Sequence, residues 1–255
     1  MKKVTLEQKK REGGFTLVEL AIVMIIVGLL IGGILKGQEL INNSRVTATV
    51  AQVKGVDAAI STFRDKFASL PGDMQTPTTR LPNCTAPPCS IVGNGDGIIR
   101  ASTTDFGTGT IIATGVTGEG VRAYAHLAAA DMLSGVDPEG GNVVVPGITI
   151  PTAELGGNLR FGHVRTGLSG TTVPLTTAAG GPRNGHYVAI SGGIGAVSNN
   201  TGILTPVQAA QIDRKLDDGA PDTGSVRATT ACSNGGLYDE SNDGVTCALY
   251  ARVQG

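Results

Sequence analysis

Residues 15–35 read FTLVELAIVMIIVGLLIGGIL, a run with one charge, Glu19. As a helix it would extend about 31 Å at ~1.5 Å per residue, enough to cross the hydrocarbon of a bilayer. A buried core helix is the competing reading, but the length and the residues ahead of the run argue against it. Lys2, Lys3, Lys9, Lys10 and Arg11 precede it against Glu7 and Glu12. Positive residues before an apolar span hold the N-terminus in the cytoplasm, so the body of the chain is expected beyond the inner membrane. An ordinary secretory signal would place a small-residue cleavage site after the apolar run. Residues 30–40 hold glycines but no Ala-x-Ala pattern.

A carboxylate inside hydrocarbon costs at least ~2.5 kcal/mol and usually has a functional partner. No Lys, Arg or His between Phe15 and Leu35 supplies one. The partner of Glu19 is therefore another chain, a terminus, or a proton on Glu19 itself. The structural alternative is a protonated glutamate near the membrane surface.

The border between the basic leader and the apolar run reads Gly13-Gly14-Phe15-Thr16-Leu17-Val18-Glu19. This resembles the prepilin signature shared by type IV pilins and type II secretion pseudopilins, over residues 1 to about 40. The resemblance implies cleavage between Gly14 and Phe15 by a membrane aspartyl prepilin peptidase, and N-methylation of the new terminal Phe15. It also implies that Glu19 pairs with the terminal amine of a neighbouring subunit during assembly. One feature departs from the family. Its filaments commonly carry a proline about a third of the way along this helix, near position 36. Here Lys36 occupies that place, and there is no proline from Phe15 through Leu70. Gly28, Gly32, Gly33 and Gly37 could loosen the same stretch, each at up to ~1 kcal/mol. Their spacing also suits close helix contacts.

The helix is expected to continue past the membrane. Val46, Val50, Val53, Ile60, Phe63 and Phe67 recur at three, four or seven residues and form one apolar face. Arg45, Gln52, Asp57 and Arg64 occupy much of the remainder, and Pro71-Gly72 is the stop signal. The expected organisation is a leader over 1–14, a long helix over 15–70 with 15–35 in the membrane, and a head over 71–255.

The head is loop-rich, and the chain as a whole carries glycine at 38 of 255 residues, about twice the usual share. A helix is expected from about Glu119 to Leu133, with Val121, Tyr124, Leu127 and Ala128 on one side and Gly135 and Pro138 as stops. Strand-like runs are Asn142–Ile150, Asn158–Arg165, Tyr187–Ser191 and Ala248–Val253. Thr205-Pro206 reads as an N-cap and first turn of another helix ending near Asp217. A long helix followed by short helices and antiparallel strands reads as α+β. The resemblance implies a pilin-like arrangement, the second half of the helix lying on the head.

Four cysteines form two close pairs, Cys84 with Cys89 and Cys232 with Cys247. An even count beyond the inner membrane favours disulfides. Three pairings are possible, and nearest-neighbour bonding is the expectation. A C-terminal disulfide loop also resembles that of many type IV pilins. Zinc competes for the cysteines, but no Cys-x-x-Cys spacing is present.

No cofactor is expected, although two acidic stretches raise calcium. Asn94-Gly95-Asp96-Gly97-x-Ile99 resembles part of an EF-hand loop, but Val92 and Thr103 stand at its first and twelfth positions. A glycine-rich Asx turn explains it better. Asp213 to Asp222 gathers several carboxylates around a Gly-Pro turn. A solvated helix end is the plain reading, although Asp217 and Asp218 oppose the helix dipole there. Major pseudopilins hold calcium in a C-terminal loop, but these aspartates do not align to that site.

Catalysis has little support. His126, His163 and His186 lie in unrelated contexts, and Gly-x-Ser-x-Gly, His-Glu-x-x-His and Walker-type phosphate loops are absent. Twenty basic against 21 acidic residues leave no field for nucleic acid, and aromatics at 4% leave little to stack on bases. The sequence thus reads as a filament subunit of a pilus or secretion pseudopilus, with no catalytic residues. Its expected partners are other pilin or pseudopilin subunits, a prepilin peptidase and an inner-membrane assembly platform. The alternative is a membrane-anchored periplasmic binding protein or enzyme carrying a prepilin-like N-terminus.

Overall fold

The computed structural model describes residues 16–99, 118–141, 144–164, 184–192 and 202–253. Helix α1 (Leu17–Phe67) is followed by α2 (Pro77–Arg80), α3 (Glu119–Ala129), strands β1 (Asn158–Val164) and β2 (Gly185–Ser191), and α4 (Pro206–Leu216). Four short strands close the order: β3 (Val226–Ala228), β4 (Ser233–Asn234), β5 (Leu237–Tyr238) and β6 (Leu249–Arg252). This is the α+β plan expected: a long N-terminal helix, then short helices and an antiparallel sheet. The chain divides into two compact units, Met1–Asn43 and Ser44–Gly255.

Within the second unit, the expected apolar face of α1 is buried. Val46, Val50, Val53, Ile60, Phe63 and Phe67 all join the core, together with Val56 and Ala59. Burying six such side chains at ~1.5–3 kcal/mol each outweighs the modest helix propensity of their β-branched members. Polar links fix the register. Gln52 donates to the Thr152 carbonyl and accepts from Glu154 N–H, and Leu155 N–H donates to Thr49 Oγ1.

α1 stops at Phe67, four residues before the expected Pro71-Gly72 signal. Ala68 takes φ +51°, the left-handed conformation that ends helices, and its N–H still reaches the Arg64 carbonyl at 2.8 Å. Arg80 donates to the terminal Phe67 carbonyl and lies over the Phe67 ring. That cation at the helix C-terminus replaces the cap a glycine would have supplied.

The main sheet has the order β1-β2-β6-β3, antiparallel throughout. Leu159, Val188, Ile190, Leu249 and Val226 send their side chains into the same core as α1. The strand expected over Asn142–Ile150 is not formed in its described part. From Val144 the chain turns instead, with Ile148 N–H and Thr149 N–H both donating to the Val145 carbonyl. Pro146-Gly147 causes this: proline lacks a ladder donor, and Gly147 sits at φ +77°.

α3 differs from its expected one-sided burial. Every residue from Glu119 to Leu127 is buried, and Ala128, assigned to the apolar side, is the more open one. Gly120 makes this possible, because its missing Cβ lets α3 press directly on the Phe161 carbonyl of β1. α4 begins at Thr205 as expected. Thr205 Oγ1 accepts from Gln208 N–H, and Gln208 Oε1 accepts from Thr205 N–H, a capping box.

Candidate functional site

In the first unit, Gly14 and Phe15 lie outside the described residues, and the site begins at Thr16. Thr16 is the last residue before α1. Its N–H and its hydroxyl both donate to Glu19 Oε2 at 2.9 Å, and Glu19 N–H donates back to Thr16 Oγ1 at 3.2 Å. This is a second capping box. It answers part of the Glu19 problem, since two donors compensate one oxygen of a carboxylate that sits in an apolar stretch. Glu19 Oε1 receives no hydrogen bond from the described residues. One oxygen thus holds the helix start, and the other takes no partner among the described residues. Thr16 had no assigned role in the sequence; the Thr-x-x-Glu spacing before an apolar run was the signal for it.

Residues 16–36 are all exposed, Leu17 at 88% and Leu29 at 74%. So long an apolar surface requires lipid or other helices against it. α1 is long and apolar enough to cross a membrane. It stays helical through Lys36, where the expected family proline is missing. A Cβ at Gly28, Gly32, Gly33 or Gly37 would meet nothing within 4 Å, so these positions are open to approach from another helix.

Residues 9–35 match the prokaryotic N-terminal methylation motif. That is the prepilin signature of type IV pilins and pseudopilins, and it supports a pilin-like or pseudopilin precursor. It points to a structural protein that assembles with other pilin subunits after peptidase processing. An apolar N-terminal helix with this motif is compatible with membrane anchoring. No curated protein and no solved structure matches the chain.

The head supplies rigidity around its loops. Cys84 is bonded to Cys89 and Cys232 to Cys247. The first disulfide loop is held by Glu139, whose Oε1 accepts from Thr85 N–H, Thr85 Oγ1 and Ala86 N–H. These bonds, first those from Thr85, keep its carboxyl below the usual range. Glu139 was not singled out in the sequence, because its partners lie more than fifty residues away.

His126 is fully buried beside that disulfide and is a packing histidine. Its Nδ1 accepts from Gly72 N–H at 2.9 Å, and its Nε2 lies 3.1 Å from the Cys89 carbonyl. The ring is therefore the neutral Nε2–H tautomer, donating to Cys89 and accepting from Gly72. Burial pushes its pKa down to about 4; the Cys89 carbonyl opposes this and Arg122 adds to it. His126 thus ties the segment after α1 and the disulfide loop to α3.

His163 and His186, unrelated in sequence, are directly opposed on β1 and β2, with ring centroids 4.8 Å apart. Burial pushes His186 to about 4, with His163 and Arg64 adding to the shift.

Both acidic stretches resolve into closed turns. Asn94 Oδ1 accepts from Asp96 N–H, and Asp96 Oδ1 from Ile98 N–H. The buried Asp73 accepts from Gly95 N–H at 2.6 Å and Gly97 N–H at 2.7 Å. This is the Asx turn that competed with the EF-hand reading; Thr103 lies outside the described residues. In the second stretch, carboxylate oxygens of Asp213, Asp217 and Asp218 come within 4.8 Å of one another. Each is held by neighbouring donors. Asp213 takes Tyr238 Oη and Gly219 N–H, Asp217 takes Ser225 and Val226 N–H, and Asp218 takes Ala220 N–H and Thr223 Oγ1. Asp217 and Asp218 are exposed, as the solvated helix end expected here requires, but Asp213 departs from it and is fully buried. Burial raises its pKa to about 6; the Tyr238 and Gly219 bonds lower it, and Asp218 and Asp217 raise it.

Proposed function

We propose that the protein is a structural subunit of a type IV pilus or type II secretion pseudopilus. α1 stores it in the inner membrane with the head on the periplasmic side. Prepilin peptidase cuts between Gly14 and Phe15, and the new Phe15 amine is methylated. Glu19 then guides docking by pairing with the Phe15 amine of a neighbouring subunit, on an inner-membrane assembly platform. The carrying observation is the Thr16–Glu19 cap inside the matched motif, which fixes the carboxylate at the helix start with Oε1 open. A cation at a helix N-terminus gains only by meeting such a carboxylate, and the apolar surroundings strengthen that attraction. The exposed helix supplies the lateral surface for polymerisation, and the disulfide-bonded head is the part displayed.

The test is the intact mass of the protein from membranes, with and without a prepilin peptidase. Loss of residues 1–14 plus one methyl group on Phe15 is expected. Glu19→Ala should then be processed but absent from filaments. A chain left uncut beside a processed control prepilin would overturn the proposal. It would favour a membrane-anchored periplasmic binding protein or enzyme.

A further inference from the structure

The last turn of α1 and the segment after it form one wall of an open cavity in the head. Arg64, Ser69, Asp73, Gly95, Gly97 and His186 line it, and its volume is about 370 Å³. That is the lower range of small-molecule sites. Its polar groups are unevenly satisfied. Asp73 is committed: both oxygens accept glycine N–H groups, and its charge acts on the buried Arg122. Arg64 is not committed. Among the described residues, nothing accepts from its guanidinium, although it lies close enough to bear on His186.

His186 adds a donor of known polarity. Ile99 N–H donates to its Nε2 at 3.3 Å, so the neutral ring carries its proton on Nδ1. No described residue accepts from that Nδ1. Ser69 spends its hydroxyl on a long 3.4 Å contact with the neighbouring Leu70 carbonyl, a bond easily exchanged for a better one. The cavity lining therefore includes an uncommitted guanidinium, an imidazole whose Nδ1–H no described residue takes and a weakly held hydroxyl, while its one carboxylate is already compensated. Planar or tetrahedral oxygen anions suit such donors, and arginine grips them through two parallel bonds.

We propose that this cavity binds a small oxyanion, a phosphate or carboxylate group, with Arg64 as its charge partner and His186 and Ser69 as orienting donors. All of its lining lies in the second unit, Ser44–Gly255, and the site does not depend on filament assembly.

The test uses the full chain in detergent micelles at pH 7, titrated calorimetrically with inorganic phosphate and, separately, with succinate. Saturable binding of at least one probe is expected. Phosphate alone would assign the phosphate group, succinate alone the carboxylate. Arg64→Gln should weaken binding by about tenfold or more, the loss of one charged hydrogen-bonding partner. Ser69→Ala should weaken it less, and Lys54→Gln, an exposed lysine of the same helix, should leave it unchanged. The His186 ring resonances should shift as the probe saturates. Arg64 is exposed, so an unchanged unfolding temperature is expected to show that the variant is folded. Absence of saturable binding for both probes overturns the proposal, as does equal affinity in wild type and Arg64→Gln.

Discussion

Acid should weaken the head through His126, and His126→Gln should remove that part of the loss. His126 is folded in its neutral form and pushed from 6.5 to about 4. A base whose folded pKa is depressed contributes full stability above its unfolded value. That stability declines as pH falls from 6.5 and is gone below about 4. At 1.36 kcal/mol per unit, the shift amounts to about 3 kcal/mol. His186 acts in the same direction over the same window. Asp213 acts oppositely: its carboxyl is raised to about 6, so acidification from pH 6 towards 3.8 stabilises the fold through it. Absolute acid curves therefore mix several groups, and the difference between two proteins isolates one. Glutamine can keep a donor towards Cys89 and an acceptor towards Gly72, but it does not titrate. The assay is urea unfolding of the full chain in micelles at pH 7.0, 5.5 and 4.5. The variant should start less stable at pH 7. Between pH 6.5 and 4 the gap should then close by up to about 1.4 kcal/mol per pH unit, one proton's worth. A constant gap across the series would refute the reasoning, because it would mean that protonating His126 costs the fold nothing.

Three further outcomes follow from the packing. Gly72→Ala should destabilise the head by about 2–4 kcal/mol in urea melts, since Gly72 sits at φ +89° and a Cβ there would overlap the Glu119 carbonyl. Replacing both Cys232 and Cys247 by serine should cost roughly 3 kcal/mol, the loop entropy of a 15-residue separation, measured by the same denaturation. Thr205→Ala should lower stability by about 1 kcal/mol through loss of the α4 capping box, and Thr205→Ser should restore most of it in thermal unfolding.

Features written in consecutive residues were legible in the sequence. The apolar run, its basic flank, the Gly14-Phe15 border and Glu19 needed only length, charge and a local motif. The buried face of α1 followed from side chains repeating at the helical period. The Thr205-Pro206 start of α4 followed from the chemistry of a helix N-terminus. Tertiary approach decided the rest. α1 ends at Phe67 because Arg80, thirteen residues on, caps its carbonyl, and no local glycine advertises that. α3 is buried on every side because Gly120 lets it touch β1. His126 is held by Gly72 and Cys89, and Asp213 by Tyr238, residues that sequence distance keeps apart. Periodicity reports which face of an element is apolar. It does not report which polar groups from distant segments meet beneath it, because those meetings are set by burial and hydrogen-bond satisfaction in three dimensions.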